Sequence, residues 1–265
     1  MIIQHIVPLV DEQAPARLVA EQERALPTLR EAGARTQHEV LLQLLAHPRS
    51  SDPPPSSAKV RQAFPPLRSA LADLIPSGKN LPTLPYLADL FRSVDEHADV
   101  VILTNPDICL RSDFYDVVGR LHSRGFAGSI TRRTISDLTP GFELLDSLSK
   151  DDNDPHPGHD CFFFPPTFVR EFVLGDVFLG APPVGQLLLL NIALQHEAAK
   201  ILRNTAATFH IGDDRVWLNS DRTYLRDLNA LVTRRALKKL RGLHGEEAVR
   251  TKILSLKLSG LRELF

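Results

Sequence analysis

Cysteine is scarce in this sequence of 265 residues, which contains only Cys109 and Cys161. Two thiols cannot build a disulfide framework or a four-cysteine zinc cluster, so neither scaffold organises the chain. Because disulfide-rich folds belong to oxidising compartments, the low cysteine content leads us to expect a cytoplasmic protein.

Long apolar runs and an excess of either charge are also missing. Apolar runs such as 162–164 and 187–190 fall far short of the roughly 20 residues that a membrane-spanning helix needs. The 31 Lys and Arg residues nearly balance the 32 Asp and Glu residues. Since no global positive potential would attract nucleic acid, we expect no nucleic-acid partner.

Several familiar motifs are absent as well. The sequence has no P-loop, no Gly-rich dinucleotide fingerprint and no nucleophile elbow. Its length is nevertheless sufficient for one large domain or two small ones with a sizeable core. Any functional site must therefore be formed by residues that are distant in sequence and brought together by the fold.

One short stretch is the clearest structural signal in the chain. Residues 100–103 form an uninterrupted run of branched aliphatic side chains, typical of a strand buried on both faces of a sheet. The run stops at Thr104-Asn105-Pro106-Asp107, where Pro cannot donate a ladder hydrogen bond and Asn and Asp favour turns. The pattern predicts a carboxylate at the carboxyl end of a buried strand, where ligands bind in open α/β sheets. An ordinary turn-forming Asp is the alternative.

Strands and helices are predicted to alternate along the rest of the chain. Predicted strands cover 2–9, 39–46, 100–103, 125–135 and 205–211, with a core strand after Asp160, although a helix stays open for the Leu-rich 39–46. Predicted helices cover 14–34, with a kink or break at Pro27, and 64–75, 84–97, 111–121, 167–173 and 186–202. Two amphipathic helices are predicted in 221–265. The alternation indicates a mixed, mainly parallel α/β sheet flanked by helices.

Polar side chains recur at the ends of these predicted strands. They are Asp107, the pair Arg132 and Arg133, Asp160, and His210 with Asp213 and Asp214. Consecutive strand residues point to opposite faces, so we expect one arginine of the pair to face a cleft and the other to face solvent. Carboxylates suit Mg²⁺ or Mn²⁺, Mn²⁺ also accepts an imidazole, and Arg binds phosphate. Together these groups suit a diphosphate–metal substrate.

Taken together, these segments resemble a GT-A-type glycosyltransferase. The resembling segments are His5-Ile-Val-Pro8, Lys79-Asn-Leu-Pro82, 101–107, 129–133, 158–162 and 209–217. In such enzymes a hydrophobic strand ends in an Asp-any-Asp motif that holds a metal and the nucleotide-sugar diphosphate, and a late His often completes the metal shell. The matching positions are Asn105-Pro106-Asp107 and His210, so this chain has Asn where the motif has its first Asp.

The resemblance implies a GT-A-like fold and transfer of a sugar from a nucleoside diphosphate sugar to a hydroxyl of a glycan, lipid-linked or small-molecule acceptor. Residues 1–220 would form the nucleotide-sugar-binding and catalytic domain, and 221–265 a helical extension packed on it. Asp107 and His210 would bind Mn²⁺ or Mg²⁺. The donor-binding residues would be Pro8, Lys79, Thr104, Asn105, Asp107, Arg132 and Arg133.

An inverting enzyme of this kind also needs a base near the acceptor hydroxyl. Asp160 is the first candidate, because the apolar residues that follow it would desolvate it. Asp213 and Asp176 come next. The acceptor side would include Asp214, Arg215 and Trp217. A retaining enzyme would need no such base, and the sequence leaves the stereochemistry open.

The sequence is also compatible with two other functions, and it leaves two roles open for the basic C-terminal segment. The chain could be a sugar-phosphate nucleotidyltransferase, or a non-catalytic nucleotide- or sugar-binding protein of the same fold. The C-terminal segment is rich in cations, among them Arg234, Arg235, Lys238, Lys239 and Arg241. Such a basic amphipathic segment can contact an anionic membrane surface, or it can be a solvated face of packed helices.

Overall fold

The computed structural model describes residues 1–10, 14–46, 69–75, 83–135, 142–148, 158–211 and 223–265. Strands in this part of the chain are β1 (Ile2–Pro8), β2 (Glu39–Leu45), β3 (Val100–Thr104), β4 (Ile108–Leu110), β5 (Ala127–Ile130), β6 (Arg133–Ile135), β7 (Cys161–Phe164), β8 (Ala199–Leu202) and β9 (Thr208–Ile211). Helices are α1 (Ala16–Arg35), α2 (Ala70–Leu74), α3 (Leu87–Leu90), α4 (Phe114–Ser123), α5 (Phe142–Ser147), α6 (Val184–Gln195), α7 (Thr223–His244), α8 (Glu246–Ser255) and α9 (Ser259–Arg262). Short 3₁₀ helices cover Phe91–Ser93 and Pro166–Glu171.

The larger sheet has the strand order β2-β1-β3-β7-β5-β8. β1 is parallel to β2 and β3, and β5 is parallel to β8, whereas β7 is antiparallel to both of its neighbours. The sheet is therefore mixed and mainly parallel, as the sequence predicts. Because β7 runs in the opposite direction, its amino end lies beside the carboxyl ends of β3 and β5.

A smaller sheet with the order β4-β9-β6 covers this edge. β4 follows β3 after three residues, and β6 follows β5 after two. In the register of β4 and β9, Ile108 pairs with His210. The smaller sheet thus brings the late His210 next to Asp107, the residue that precedes β4.

Both faces of β3 are buried, which explains its unbroken aliphatic sequence. Val101 and Leu103 lie in the same core cluster as 187–190 of α6, and Val100 and Ile102 lie in the cluster on the other face with Phe114 of α4. Buried side chains of α7, α8 and α9 join the α6 side of the core. The C-terminal helices therefore pack on the sheet domain through α6.

Several predicted elements differ from the structure. The helix predicted for 186–202 ends at Gln195, and its last residues form the edge strand β8, because Ala199 and Ile201 pack inward while the backbone pairs with β5. The strand predicted for 125–135 is interrupted at residues 131–132 and contributes β5 and β6 to different sheets. The C-terminal segment forms three helices instead of two.

Helix boundaries also need correction. α1 continues through Pro27 as one helix of 20 residues, since Pro27 is exposed and the hydrogen bond that it lacks falls on the solvent side. The helix predicted for 84–97 is reduced to α3 and the first 3₁₀ helix, and the helix predicted for 167–173 is the 3₁₀ helix Pro166–Glu171. Of the helix predicted for 64–75, residues 64–68 lie outside the described residues.

Candidate active site

Thr104, the last residue of β3, is buried and bonded within the protein. Its Oγ1 lies 2.9 Å from Nε2 of His5, and Nδ1 of that ring lies 2.8 Å from the Tyr115 hydroxyl. Burial lowers the pKa of His5 to about 3, so this imidazole is neutral at physiological pH. The chain of hydrogen bonds ties β1, β3 and α4 together and fixes the strand end that carries the next residues.

Asn105 and Asp160 are joined by two hydrogen bonds. The Asn105 backbone N–H donates to the Asp160 carbonyl at 3.1 Å, and Nδ2 of Asn105 donates to Oδ1 of Asp160 at 2.9 Å. Nε of Arg132, which is 4% exposed, lies 3.1 Å from Oδ2 of Asp160. This contact is an ion pair without an aligned hydrogen bond, because Oδ2 accepts none within the described residues. The antiparallel direction of β7 creates this group.

Asp107 and His210 form the second polar pair of the site. Nε2 of His210 lies 3.1 Å from Oδ2 of Asp107, and the imidazole is buried. Burial acts to raise the pKa of Asp107, but the hydrogen bond and charge of His210 and the charge of Arg132 outweigh it, and the net pKa is lowered. The carboxylate form of Asp107 is therefore favoured at this edge.

Glu21 of α1 completes a cluster that the sequence reasoning missed. Its carboxylate, that of Asp107 and a ring nitrogen of His210 all lie within 4.8 Å of one another. Glu21 is buried, and it accepts a hydrogen bond from Nε of Arg17 at 2.9 Å. The available signal was a lone acidic residue at the start of the buried stripe of α1, which continues with Ala25 and Leu29.

The donor set of this cluster fits a divalent cation. Oδ1 of Asp107 is buried and accepts no hydrogen bond within the described residues, so it has a lone pair available in a site shielded from water. Two carboxylates and one imidazole supply hard oxygen ligands and one nitrogen ligand, a set that suits Mn²⁺ better than Mg²⁺. Glu21, Asp107 and His210 are therefore the candidate metal ligands.

The two adjacent arginines do not divide between a cleft and solvent. Arg133 is as buried as Arg132, and its Nη2 donates to the carbonyl oxygen of Arg203 at 3.3 Å. The expectation that one of them faces solvent is wrong because the two arginines do not lie on one continuous strand: β5 ends at Ile130 in the larger sheet, and Arg133 begins β6 of the smaller sheet. Arg132 thus belongs to the site, while Arg133 joins β6 to the end of β8.

The other predicted site residues have no described contact with Asp107, His210 or Asp160. Pro8 lies buried at the carboxyl end of β1, next to Leu45 of β2. Asp176 lies in an exposed turn, and no hydrogen bond or ion pair within the described residues joins it to the cluster. Five predicted residues lie outside the described residues, namely Lys79, Asp213, Asp214, Arg215 and Trp217.

The two cysteines lie next to the site, but neither thiol is suited to act as a nucleophile. Cys109 and Cys161 are both free and fully buried. Burial, aided by the charge of Asp107, raises the pKa of Cys109 to about 12. Burial, aided by the charge of Asp160, likewise raises the pKa of Cys161. Both thiols are therefore protonated and inert at neutral pH.

This fold is that of a GT-A-type glycosyltransferase, which confirms the resemblance drawn from the sequence at the level of the fold. The structure is similar to that of residues 1–349 of TarS from S. aureus in complex with UDP-GlcNAc, with a TM-score of 0.55 and 10% identity over 98% of this chain and 75% of the TarS chain. The complex of the same TarS fragment with UDP has a TM-score of 0.47 at 10% identity over 91% of this chain and 73% of that one. No family model and no curated protein sequence matches the chain.

Proposed function

We propose that the protein is a glycosyltransferase that moves a sugar from a nucleoside diphosphate sugar to an acceptor hydroxyl, with a divalent cation at the diphosphate. The observation that carries the proposal is the meeting of Glu21, Asp107 and His210 at the carboxyl edge of β3. In open α/β sheets this edge is where ligands bind. The fold supports a nucleotide-sugar donor, since the similar TarS structure is a complex with UDP-GlcNAc.

Mn²⁺ is the proposed cation and Mg²⁺ the alternative. Bound by Glu21, Asp107 and His210, it would neutralise the negative charge that develops on the leaving diphosphate. Arg132, whose charge already acts on Asp107, adds a fixed positive charge beside the same position. On the donor side, Lys79 and the strand ends at Pro8 and Thr104 remain proposed contacts.

Asp160 is the proposed general base of an inverting reaction. One of its oxygens, Oδ2, is buried and accepts no hydrogen bond within the described residues. An acceptor hydroxyl that reaches this oxygen would give up its proton as the acceptor oxygen attacks the anomeric carbon of the sugar. The bond to the diphosphate oxygen breaks at the same time and its electron pair leaves with the diphosphate. Asp213 and Asp176 remain the second choices for this role.

Acceptors carried on a membrane are also part of the proposal. The exposed side chains of α7 include Arg234, Arg235, Lys238 and Lys239, together with Leu243, which is 63% exposed. Cations with exposed apolar side chains on one helix favour contact with an anionic membrane surface. The proposed contact is peripheral. No described helix has the length and apolar character required to cross a bilayer.

The proposed reaction is tested by following nucleotide release from UDP-GlcNAc in the presence of Mn²⁺ and an acceptor panel of glycans, lipid-linked sugars and small polyols. The expected result is release of UDP and appearance of the glycosylated acceptor, both lost with EDTA and with Asp107→Ala. The Asp227→Ala variant is a matched control that should keep the activity, because Asp227 is an exposed aspartate of α7 with no role in the proposed site. Binding of the nucleotide sugar without any turnover would favour a non-catalytic binding protein instead.

A further inference from the structure

We propose that Asn105 is the positioning residue of Asp160, an inference that rests on the proposed glycosyl transfer. By sequence, Asn105 occupies the first position of an Asp-any-Asp motif. The geometry gives it a different task from metal or ribose binding: it holds one oxygen of the general base so that the other oxygen faces the acceptor.

The first observation is the donor–acceptor pair itself. Nδ2 of Asn105 donates to Oδ1 of Asp160 at 2.9 Å, and the backbone N–H of Asn105 donates to the Asp160 carbonyl at 3.1 Å. The backbone bond continues the pairing of β3 and β7 beyond Thr104 and Cys161. Both hydrogen bonds fix the position of the Asp160 carboxylate relative to the end of β3.

The second observation is the state of the other carboxylate oxygen. Oδ2 of Asp160 is buried and accepts no hydrogen bond within the described residues, although Nε of Arg132 lies 3.1 Å away. Burying a carboxylate oxygen without a donor costs free energy, and such orphaned atoms are typical of sites that await a ligand. An acceptor hydroxyl can donate to this oxygen, beside the positive charge of Arg132.

This arrangement gives a physical reason for Asn at position 105. Only a side chain with a donor can form a hydrogen bond to a carboxylate oxygen of Asp160, and the amide of Asn supplies one at the required distance. An aspartate in the same place would set two carboxylates against each other at hydrogen-bond distance. Asn105, the one position that differs from the Asp-any-Asp motif, therefore positions the general base. The candidate cation site still has Asp107, His210 and Glu21 as ligands.

In the resulting step, the acceptor O–H bond breaks and its proton passes to Oδ2 of Asp160. The acceptor oxygen forms a bond to the anomeric carbon, and the bond from that carbon to the diphosphate oxygen breaks. The electron pair of the broken bond remains on the nucleoside diphosphate. Asn105 takes no part in the bond changes, and its amide keeps Oδ1 in place throughout.

The pairing is tested first by a thermal-unfolding cycle in EDTA, without substrate. Asn105→Asp and Asp160→Asn should each lower the melting temperature by roughly 2–4 °C, as expected for the loss of one such interaction in a domain of this size. The double variant reverses donor and acceptor and should recover part of the loss. Asn204→Asp, an exposed site, should show no such coupling with Asp160→Asn. Strictly additive losses in the double variant would overturn the pairing.

The positioning role is tested by a second pair of readouts on the Mn²⁺-loaded protein. Asn105→Ala should lower kcat for sugar transfer by about 100-fold, the lower range of general-base contributions, and leave the calorimetric Mn²⁺ affinity within about twofold. Asn105→Asp should lose turnover although it restores the Asp-any-Asp spacing. Tighter Mn²⁺ binding with preserved turnover in Asn105→Asp would overturn the proposal. If the melting temperatures show the Asn105–Asp160 coupling but the wild-type protein transfers no sugar, the pairing stands and the proposed reaction is overturned.

Discussion

Nε2 of His210 lies 3.1 Å from Oδ2 of Asp107, although 103 positions separate the two residues along the chain. The contact exists because β4, which starts directly after Asp107, pairs with β9, which carries His210. The carboxylate of Asp107 has one oxygen bonded to an imidazole, while the other oxygen is buried and accepts no hydrogen bond within the described residues, so it is suited to bind a cation. The proposed function depends on this relationship.

Removing either member of this pair should weaken metal-dependent nucleotide binding. Asp107→Ala and His210→Ala each remove one candidate ligand from the same cluster. We expect calorimetry with UDP and Mn²⁺ to show at least tenfold weaker binding, since even residues that only orient metal ligands contribute about 10- to 100-fold. Unchanged Mn²⁺-dependent affinity in both variants would contradict the assignment of these ligands.

Glu21 should contribute to the same site from α1. The Glu21→Gln variant keeps the size of the side chain and a carbonyl oxygen, but it removes the negative charge. We expect Mn²⁺ affinity to fall about tenfold, with little change in thermal stability. Glu23→Gln on the exposed side of the same helix is the matched control and should behave like the wild type. Equal affinities in the two variants would exclude Glu21 as a ligand.

Stability should decrease between neutral pH and pH 3 because of His5. The pKa of His5 is lowered to about 3 by burial, so between pH 6.5 and 3 the unfolded chain binds a proton that the folded protein does not. The free energy of unfolding therefore rises with pH through this window, and His5 accounts for roughly 4 kcal/mol of the change across it. Denaturant unfolding of the wild type and of His5→Gln at pH 5 and 7 checks this. Identical pH dependence in both proteins would contradict it.

Contact with an anionic membrane should depend on the exposed cations of α7. Arg234→Gln/Arg235→Gln should weaken binding to vesicles with 30% phosphatidylglycerol by roughly 30-fold, because each surface cation contributes about 1 kcal/mol there. Arg120→Gln/Arg124→Gln removes two exposed cations near α4 and is the matched control. No binding to anionic vesicles by the wild type, or an equal loss in both variants, would contradict membrane contact through α7.

Much of the site could be predicted from local sequence. The run before Thr104 has the pattern of a strand buried on both faces, and turn-forming residues after it mark the ligand-binding edge. His210 and Asp160 were predicted at strand ends for the same reason, because a short apolar run bounded by turn residues is a local signal. The confirmed fold follows from the alternation of such runs with amphipathic helices.

The remaining features depend on long-range packing that local patterns do not encode. The antiparallel direction of β7 decides that Asp160 meets Asn105, and nothing in the sequence 161–164 specifies that direction. Glu21 reaches the site only because α1 packs against β4. The burial of both Arg132 and Arg133 results from a change of sheet between β5 and β6, where the sequence pattern suggests one continuous strand.

The most direct test of the central claim is a thermal-shift measurement with UDP, GDP, CMP and dTDP, each with Mn²⁺ and with EDTA. The proposed site predicts stabilisation by one nucleotide only in the presence of Mn²⁺, amounting to about 2.7 kcal/mol at a hundredfold excess over Kd. This shift should disappear in Asp107→Ala. Equal stabilisation in EDTA, or no shift with any nucleotide, would contradict a metal-dependent nucleotide-sugar site at Asp107 and His210.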